Sequence, residues 1–201
     1  MDGDTPVPAW ACAPGLLALP HLNAFLPEYA PRLLPGPDVR AVLGWGRRPT
    51  TRAGRLWGRV TGHPYVALED GFLRSVGLGE AGAASLSLIV DDLGVYYDAT
   101  RPSRLERTLV EAPDWCDAAM RARARALIDG IVAAGLSRTN MGGPLDRSIL
   151  RPGPRVLVVD QTDGDASIRY GMAPPDAFAA MMTAARADHP DAQLIVKRHP
   201  A

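Results

Sequence analysis

Residues 155–200 read RVLVVDQTDGDASIRYGMAPPDAFAAMMTAARADHPDAQLIVKRHP, and this stretch decides the fold. Its opening run, Arg155 to Asp160, has the length and the Val-Leu-Val-Val content of a buried strand. A polar loop from Gln161 to Gly171 leads to a helix expected from Pro174 or Pro175 to about Asp188, with Phe178, Met181 and Met182 facing inward. Gln193–Lys197 is the next strand, and His199-Pro200 follows it at once. Strand, helix and strand in this order form a βαβ unit, whose strands run parallel with a right-handed crossover. Two strands and one helix cannot bury a sheet on both faces. Residues 155–201 are therefore expected to be the incomplete start of a Rossmann-type domain.

Working outward, residues 137–154 have the composition of a linker, with Asn140, Gly142, Gly143, Pro144, Pro152, Gly153 and Pro154, and a domain boundary is expected there. Upstream, strand-like and helix-like runs alternate: strands at Val39–Leu43, Tyr65–Leu68 and Leu86–Val90, and helices at Thr50–Val60 and Pro102–Val110. The longest helix is expected over Pro113–Ala134, with Leu127, Ile128, Ile131 and Val132 as its buried stripe and Gly135 as its stop. Residues 1–38 are broken by eight prolines, leaving room only for a short helix over His21–Tyr29. The expected organisation is a Pro-rich segment (1–38), an α/β domain (39–136), a linker (137–154) and the beginning of a second domain (155–201).

Composition narrows the function classes. The 201 residues are 47% apolar and 22% charged, which excludes a disordered chain. Twenty-two basic residues balance 22 acidic ones, so a strongly cationic nucleic-acid binder is excluded and no nucleic-acid partner is expected. The apolar runs are far too short to cross a membrane. Cys12 and Cys116 are isolated, which reads as two reduced thiols, and the acidic N-terminus lacks a signal-peptide order, so a cytoplasmic location is expected. No His, Cys and carboxylate set has metal-ligand spacing, and neither a metal nor a cofactor is expected.

In open α/β sheets, ligands bind outside the carboxyl ends of parallel strands. That rule selects Asp160, Gln161, Asp163, Asp165 and Ser167 after one strand, and Lys197, Arg198 and His199 after the other. An acidic loop beside Lys, Arg and His suits a phosphate-bearing ligand approached by a carboxylate; the plain alternative is solvated strand ends. A phosphatase with an Asp nucleophile is set aside, because Thr162 stands where the second Asp is needed. Gly44-Trp45-Gly46 lacks the third glycine of a dinucleotide fingerprint and reads as a turn with Arg47 and Arg48 available to an anion. The sharper segment is Leu68-Glu69-Asp70-Gly71-Phe72-Leu73-Arg74-Ser75. It is either a turn closed by an Arg–carboxylate pair or a proton-accepting carboxylate beside an anion-holding arginine.

Taken together, these segments resemble the capsular polysaccharide biosynthesis/export family of KpsC (LipA-like) type. The resemblance rests on Gly44–Pro49, Leu68–Ser75, Asp91-Asp92-Leu93-Gly94-Val95-Tyr96-Tyr97-Asp98-Ala99, Pro102–Glu106, Asp160–Ile168 and Lys197–Pro200, in that order. It implies a GT-B-like pair of Rossmann-type domains and a retaining β-Kdo glycosyltransferase. Such an enzyme takes CMP-Kdo as donor and a Kdo-terminated lysophospholipid as acceptor, alongside other capsule assembly and export proteins. In that reading, Asp165 is the nucleophile of a double displacement, with Asp160 as second choice, and Glu69 is the base that deprotonates the acceptor hydroxyl from the opposing domain. Lys197 and His199 meet the donor phosphate, Gln161 and Ser167 belong to the same donor pattern, and Arg74 and Arg169 hold the Kdo carboxylate. The same reading allows docking on the inner face of the cytoplasmic membrane. The alternative is a non-catalytic capsule-assembly interaction module derived from such an enzyme.

Overall fold

The computed structural model describes residues 5–77, 82–111, 115–140, 145–162 and 164–198. The chain divides into two compact units, one of residues 1–96 and 101–142, the other of residues 97–100 and 143–201. Both are α/β, and the sheets are predominantly parallel, as in a Rossmann-like fold.

The first unit holds a five-stranded sheet built from β1 (Val7–Ala11), β2 (Tyr29–Arg32), β3 (Ala41–Trp45), β4 (Tyr65–Asp70) and β5 (Leu88–Asp91), in the order β2-β1-β3-β4-β5. The first four strands are parallel and β5 runs antiparallel at the edge. Strand alternation gives the sheet two apolar faces. Ala41, Leu43, Val66 and Leu68 pack on one face with Leu16, Leu22 and Leu26 of the N-terminal segment, which includes the short helix α1 (Leu22–Phe25). The opposite face carries α2 (Arg52–Thr61). Gly54 and Gly58 are buried where α2 meets the sheet. A Cβ added at Gly54 would lie 2.4 Å from Cys12 Sγ and 3.0 Å from Val42 Cγ1, so glycine is what lets the helix seat this closely.

The prolines of residues 1–38 conceal two strands, β1 and β2, where the sequence suggested only a short helix. Pro8 is tolerated inside the sheet because β1 begins pairing with β3 only at Ala9, while the Pro8 carbonyl accepts the Arg40 N–H at 2.8 Å. Pro31 sits on β2, which pairs only with β1 at the sheet edge.

Two helices complete the first unit. α3 (Arg104–Glu111) starts at Ser103, whose Oγ accepts the Glu106 N–H at 3.1 Å. α4 (Ala118–Ala133) is capped by Asp117, whose Oδ1 accepts the Met120 N–H at 2.7 Å. It ends as the sequence suggests, with Gly135 at φ 61° and paired backbone bonds from Gly135 to Val132 and from Leu136 to Ile131. Its apolar stripe is not buried: Leu127, Ile128 and Val132 are exposed and only Ile131 is partly covered. Helical periodicity identifies the face that would bury; it does not supply the surface that buries it.

The second unit contains β6 (Arg155–Val159) and β7 (Gln193–Lys197), paired in parallel from Arg155↔Gln193 to Val159↔Lys197. Between them lie α5 (Ala166–Tyr170) and α6 (Ala177–Asp188). The expected buried strand is buried on one side only: Val158 is covered, whereas Leu157 and Val159 are more than half exposed. Phe178 and Met182 are half-buried, but Met181 is exposed. A two-stranded sheet with one long helix between its strands leaves the other face open. Residues 97–100 join this unit, and the Ala99 N–H donates to the Tyr170 carbonyl at 3.0 Å.

Candidate active site

In the second unit, the parallel pairing brings the carboxyl ends of β6 and β7 side by side. The Asp160 N–H donates to the Lys197 carbonyl at 2.9 Å, so the acidic loop and the basic strand end start from adjacent points. Asp160 Oδ1 then accepts the Gln161 N–H at 2.8 Å. Gly164, at φ 74°, turns the chain into α5. Asp165 caps that helix, its Oδ1 accepting the Ser167 N–H at 2.7 Å. The Gln161 side chain closes the group, Nε2 donating to Ser167 Oγ at 2.7 Å. Gln161, Asp165 and Ser167 are thus drawn together by direct hydrogen bonds. Lys197 is exposed at the end of β7, and Arg169 is exposed on α5 with its guanidinium 5.8 Å from the Tyr170 ring centre. Asp163 and His199, both singled out in the sequence, lie outside the described residues.

In the first unit, Glu69 and Asp70 are the last residues of β4, paired with Ile89 and Leu88 of β5. Alternation sends them to opposite faces of the sheet. Asp70 is committed: its Oδ2 lies 2.8 Å from Arg74 Nε and 3.6 Å from Arg138, and its Oδ1 accepts the Ser85 hydroxyl at 3.2 Å. Arg74 Nη1 donates to Ser75 Oγ and to the Ala83 carbonyl at 2.8 and 3.1 Å. The Arg–carboxylate turn that the sequence allowed is therefore present, and Arg74 braces the loop after β4. Gly71 has no room for a side chain, since a Cβ there would sit 2.1 Å from Ser87 Oγ. Glu69, half-buried, shares a sheet face with Tyr65, Ala67 and α2.

The acidic pair Asp91-Asp92 turns out to be structural. Asp91 is 2% exposed, and its carboxylate accepts three backbone N–H groups, from Leu93, Gly94 and Arg104, at 2.8–2.9 Å. Asp92 forms a two-point pair with Arg104, which holds its carboxyl below the usual carboxylate range. Asp98, also buried, accepts the backbone N–H and hydroxyl of Thr100 at 3.0 and 2.6 Å. Hydrogen-bonding partners such as these are invisible in a sequence, where a carboxylate after a strand looks the same whether it binds backbone or substrate.

Cys12 and Cys116 are both free, and burial pushes the Cys12 thiol up to about 11. No group of three or more potential metal ligands occurs among the described residues, and none of their helices is long and apolar enough to cross a membrane.

Comparison with known proteins places these elements. The profile of a family described as capsule polysaccharide biosynthesis protein matches residues 40–133 and 146–201. The chain belongs to that family. Capsule polysaccharide modification protein LipA of Neisseria meningitidis serogroup B is 42% identical over 191 residues, covering 92% of this chain and 27% of LipA. The lipopolysaccharide-processing protein LpsZ of Rhizobium meliloti is 37% identical over 163 residues, 80% of this chain and 37% of LpsZ. Among solved structures, Thermosulfurimonas dismutans KpsC, a beta Kdo 2,4 transferase, aligns with TM-score 0.85 at 39% identity over 98% of this chain and 61% of that one. A second Thermosulfurimonas dismutans KpsC structure, a beta Kdo 2,7 transferase, shares the fold at TM-score 0.64 and 24% identity. The chain thus spans about a quarter of the LipA proteins and under two-thirds of that first KpsC structure.

Proposed function

We propose that this capsule-family chain is part of a retaining glycosyltransferase that moves Kdo from CMP-Kdo onto a Kdo-terminated lysophospholipid. The observation that carries the reading is the likeness, at 39% identity and TM-score 0.85, to a chain named as a beta Kdo transferase. The clustering of Gln161, Asp165 and Ser167 beyond the carboxyl end of a parallel strand supports it.

In this reading Asp165 attacks the anomeric carbon of Kdo as its bond to the CMP phosphate oxygen breaks, and CMP leaves with the electron pair. Oδ1 serves the α5 cap, so Oδ2 is the attacking oxygen. Asp160 is the second choice. CMP is already a good leaving group, so positive charge at its phosphate, from Lys197 and His199, matters more than an acid. The acceptor hydroxyl, losing its proton to Glu69, then displaces Asp165 and restores the original anomeric configuration. This two-step logic matches that of retaining glycosidases. Gln161 and Ser167 fix the donor loop, and Arg169 takes the Kdo carboxylate. Arg74, with Nε and Nη1 engaged inside its own loop, positions the chain that follows Glu69. The protein works in the cytoplasm, docked on the inner face of the membrane where a lipid-linked acceptor would be presented, within a GT-B-like enzyme.

The test is transfer by the complete protein, supplied with CMP-Kdo and a Kdo-terminated acceptor. Asp165→Asn keeps an oxygen for the cap, since Asn caps helices about as well as Asp. Transfer should nevertheless fall by about three orders of magnitude or more with the fold intact. Transfer by Asp165→Asn at the unaltered rate refutes the nucleophile; no transfer by the unaltered protein, with acceptor binding retained, favours an interaction module instead.

A further inference from the structure

The arginines of α2 and the turn after β3 play no part in the transfer proposed above, yet they converge. A cavity of about 460 Å³ opens on the α2 side of the first unit's sheet, floored by Tyr65 and Ala67. Four arginines, Arg47, Arg55, Arg59 and Arg101, line it together with His63. Among its described lining residues Asp92 is the single carboxylate, and that group is already taken by Arg104. The chain as a whole has zero net charge, so this is a local concentration of positive charge and not a consequence of composition.

The fold pays for that concentration. Arg55 and Arg59 are four residues apart on α2, where like charges repel and weaken a helix. The buried glycines Gly54 and Gly58 fix the helix on the sheet, which sets both arginines at the cavity. Arg55 is also held in place, its Nη1 donating to Thr51 Oγ1 at 2.9 Å. His63 is steadied against Trp57, ring centres 5.4 Å apart. Several planar cations around one open cavity match a ligand carrying more than one negative oxygen group.

We propose that this cavity binds a multiply charged oxyanion, with Arg55 and Arg59 as its principal ligands. The shared chemistry has two sources: a phosphate group, or neighbouring carboxylates of an acidic saccharide. The site is independent of the assignment of Asp165 and Glu69.

The complete protein is titrated calorimetrically with inorganic pyrophosphate, with tetragalacturonate and with neutral maltotetraose. The expected result is binding of at least one anion, none of maltotetraose, and affinity that falls with added salt. Pyrophosphate binding alone identifies a phosphate site, and tetragalacturonate binding alone a saccharide-carboxylate site. Arg55→Gln with Arg59→Gln should weaken the bound anion at least tenfold, whereas Arg186→Gln on α6 should not change it. A measurement on the unaltered protein covers the case of a variant that fails to fold: the bound anion should protect Arg55 and Arg59, but not Arg186, from phenylglyoxal. The proposal is overturned if neither anion binds, if the double variant binds equally well, or if protection does not fall on Arg55 and Arg59.

Discussion

Replacing Asp91 by Asn separates a structural acidic pair from a catalytic one. The Asp91 carboxylate is buried and accepts N–H groups from Leu93 and Gly94 on Oδ1 and from Arg104 on Oδ2, joining the end of β5 to the start of α3. In the Asn variant the best orientation keeps oxygen towards Leu93 and Gly94 and turns the amide nitrogen, a donor, towards the Arg104 donor. One charge-assisted bond, worth about 1.5–3 kcal/mol, is lost, and two others become neutral and weaker. The sum is about 2–4 kcal/mol, a large share of the roughly 5–15 kcal/mol that holds a domain folded. Urea unfolding followed by circular dichroism reads the effect. With a slope of about 2 kcal/mol per molar, the midpoint should fall by about 1–2 M. Asp92→Asn, next along the chain and solvent-facing, is the control and should move the midpoint far less. Equal midpoints for the two variants would refute the bracing role of Asp91.

Gly54→Ala should destabilise, because its Cβ meets Cys12 Sγ at 2.4 Å and overpacking of about 1–3 kcal/mol outweighs a helix-propensity gain of about 1 kcal/mol. Gly130→Ala, in α4 with nothing within 4 Å, should stabilise by about 0.5–1 kcal/mol, and thermal melts of the pair should shift in opposite directions. The Arg104 guanidinium lowers the Asp92 carboxyl from its ordinary 3.8, so the pair's contribution is fully present above that value and is lost as pH falls through the lower folded-state value. Asp92→Asn should therefore lose that small contribution at neutral pH, converge with the unaltered protein well below about pH 4, and so flatten the acid limb of its stability curve. Cys12, held up to about 11 by burial, should resist iodoacetamide at neutral pH in the folded protein and react readily in urea, as mapped by mass spectrometry of its peptide.

The βαβ unit at residues 155–197 was legible from hydrophobic runs and the loop lengths between them, because a parallel pair demands a crossover and the crossover helix has its own period. The turn closed by Asp70 and Arg74 was legible as one of two readings, and the ion pair it requires is present. β1 and β2 were hidden, since a proline in a strand is costly only where the neighbouring strand needs its N–H, and that depends on register. The arginine cavity was hidden for a related reason. Arg47, Arg55, Arg59 and Arg101 are scattered along the chain, and only the seating of α2 on the sheet assembles them.

The sequence alone determined the α/β class, the order of most elements, the helix stop at Gly135 and the family, because these depend on local periodicity, turn chemistry and motifs that survive without coordinates. Tertiary structure alone decided which carboxylates act as braces and which apolar faces are covered. Those outcomes depend on hydrogen-bond partners and neighbours distant in sequence, as when Arg104 closes over Asp91 and Asp92 from the start of α3.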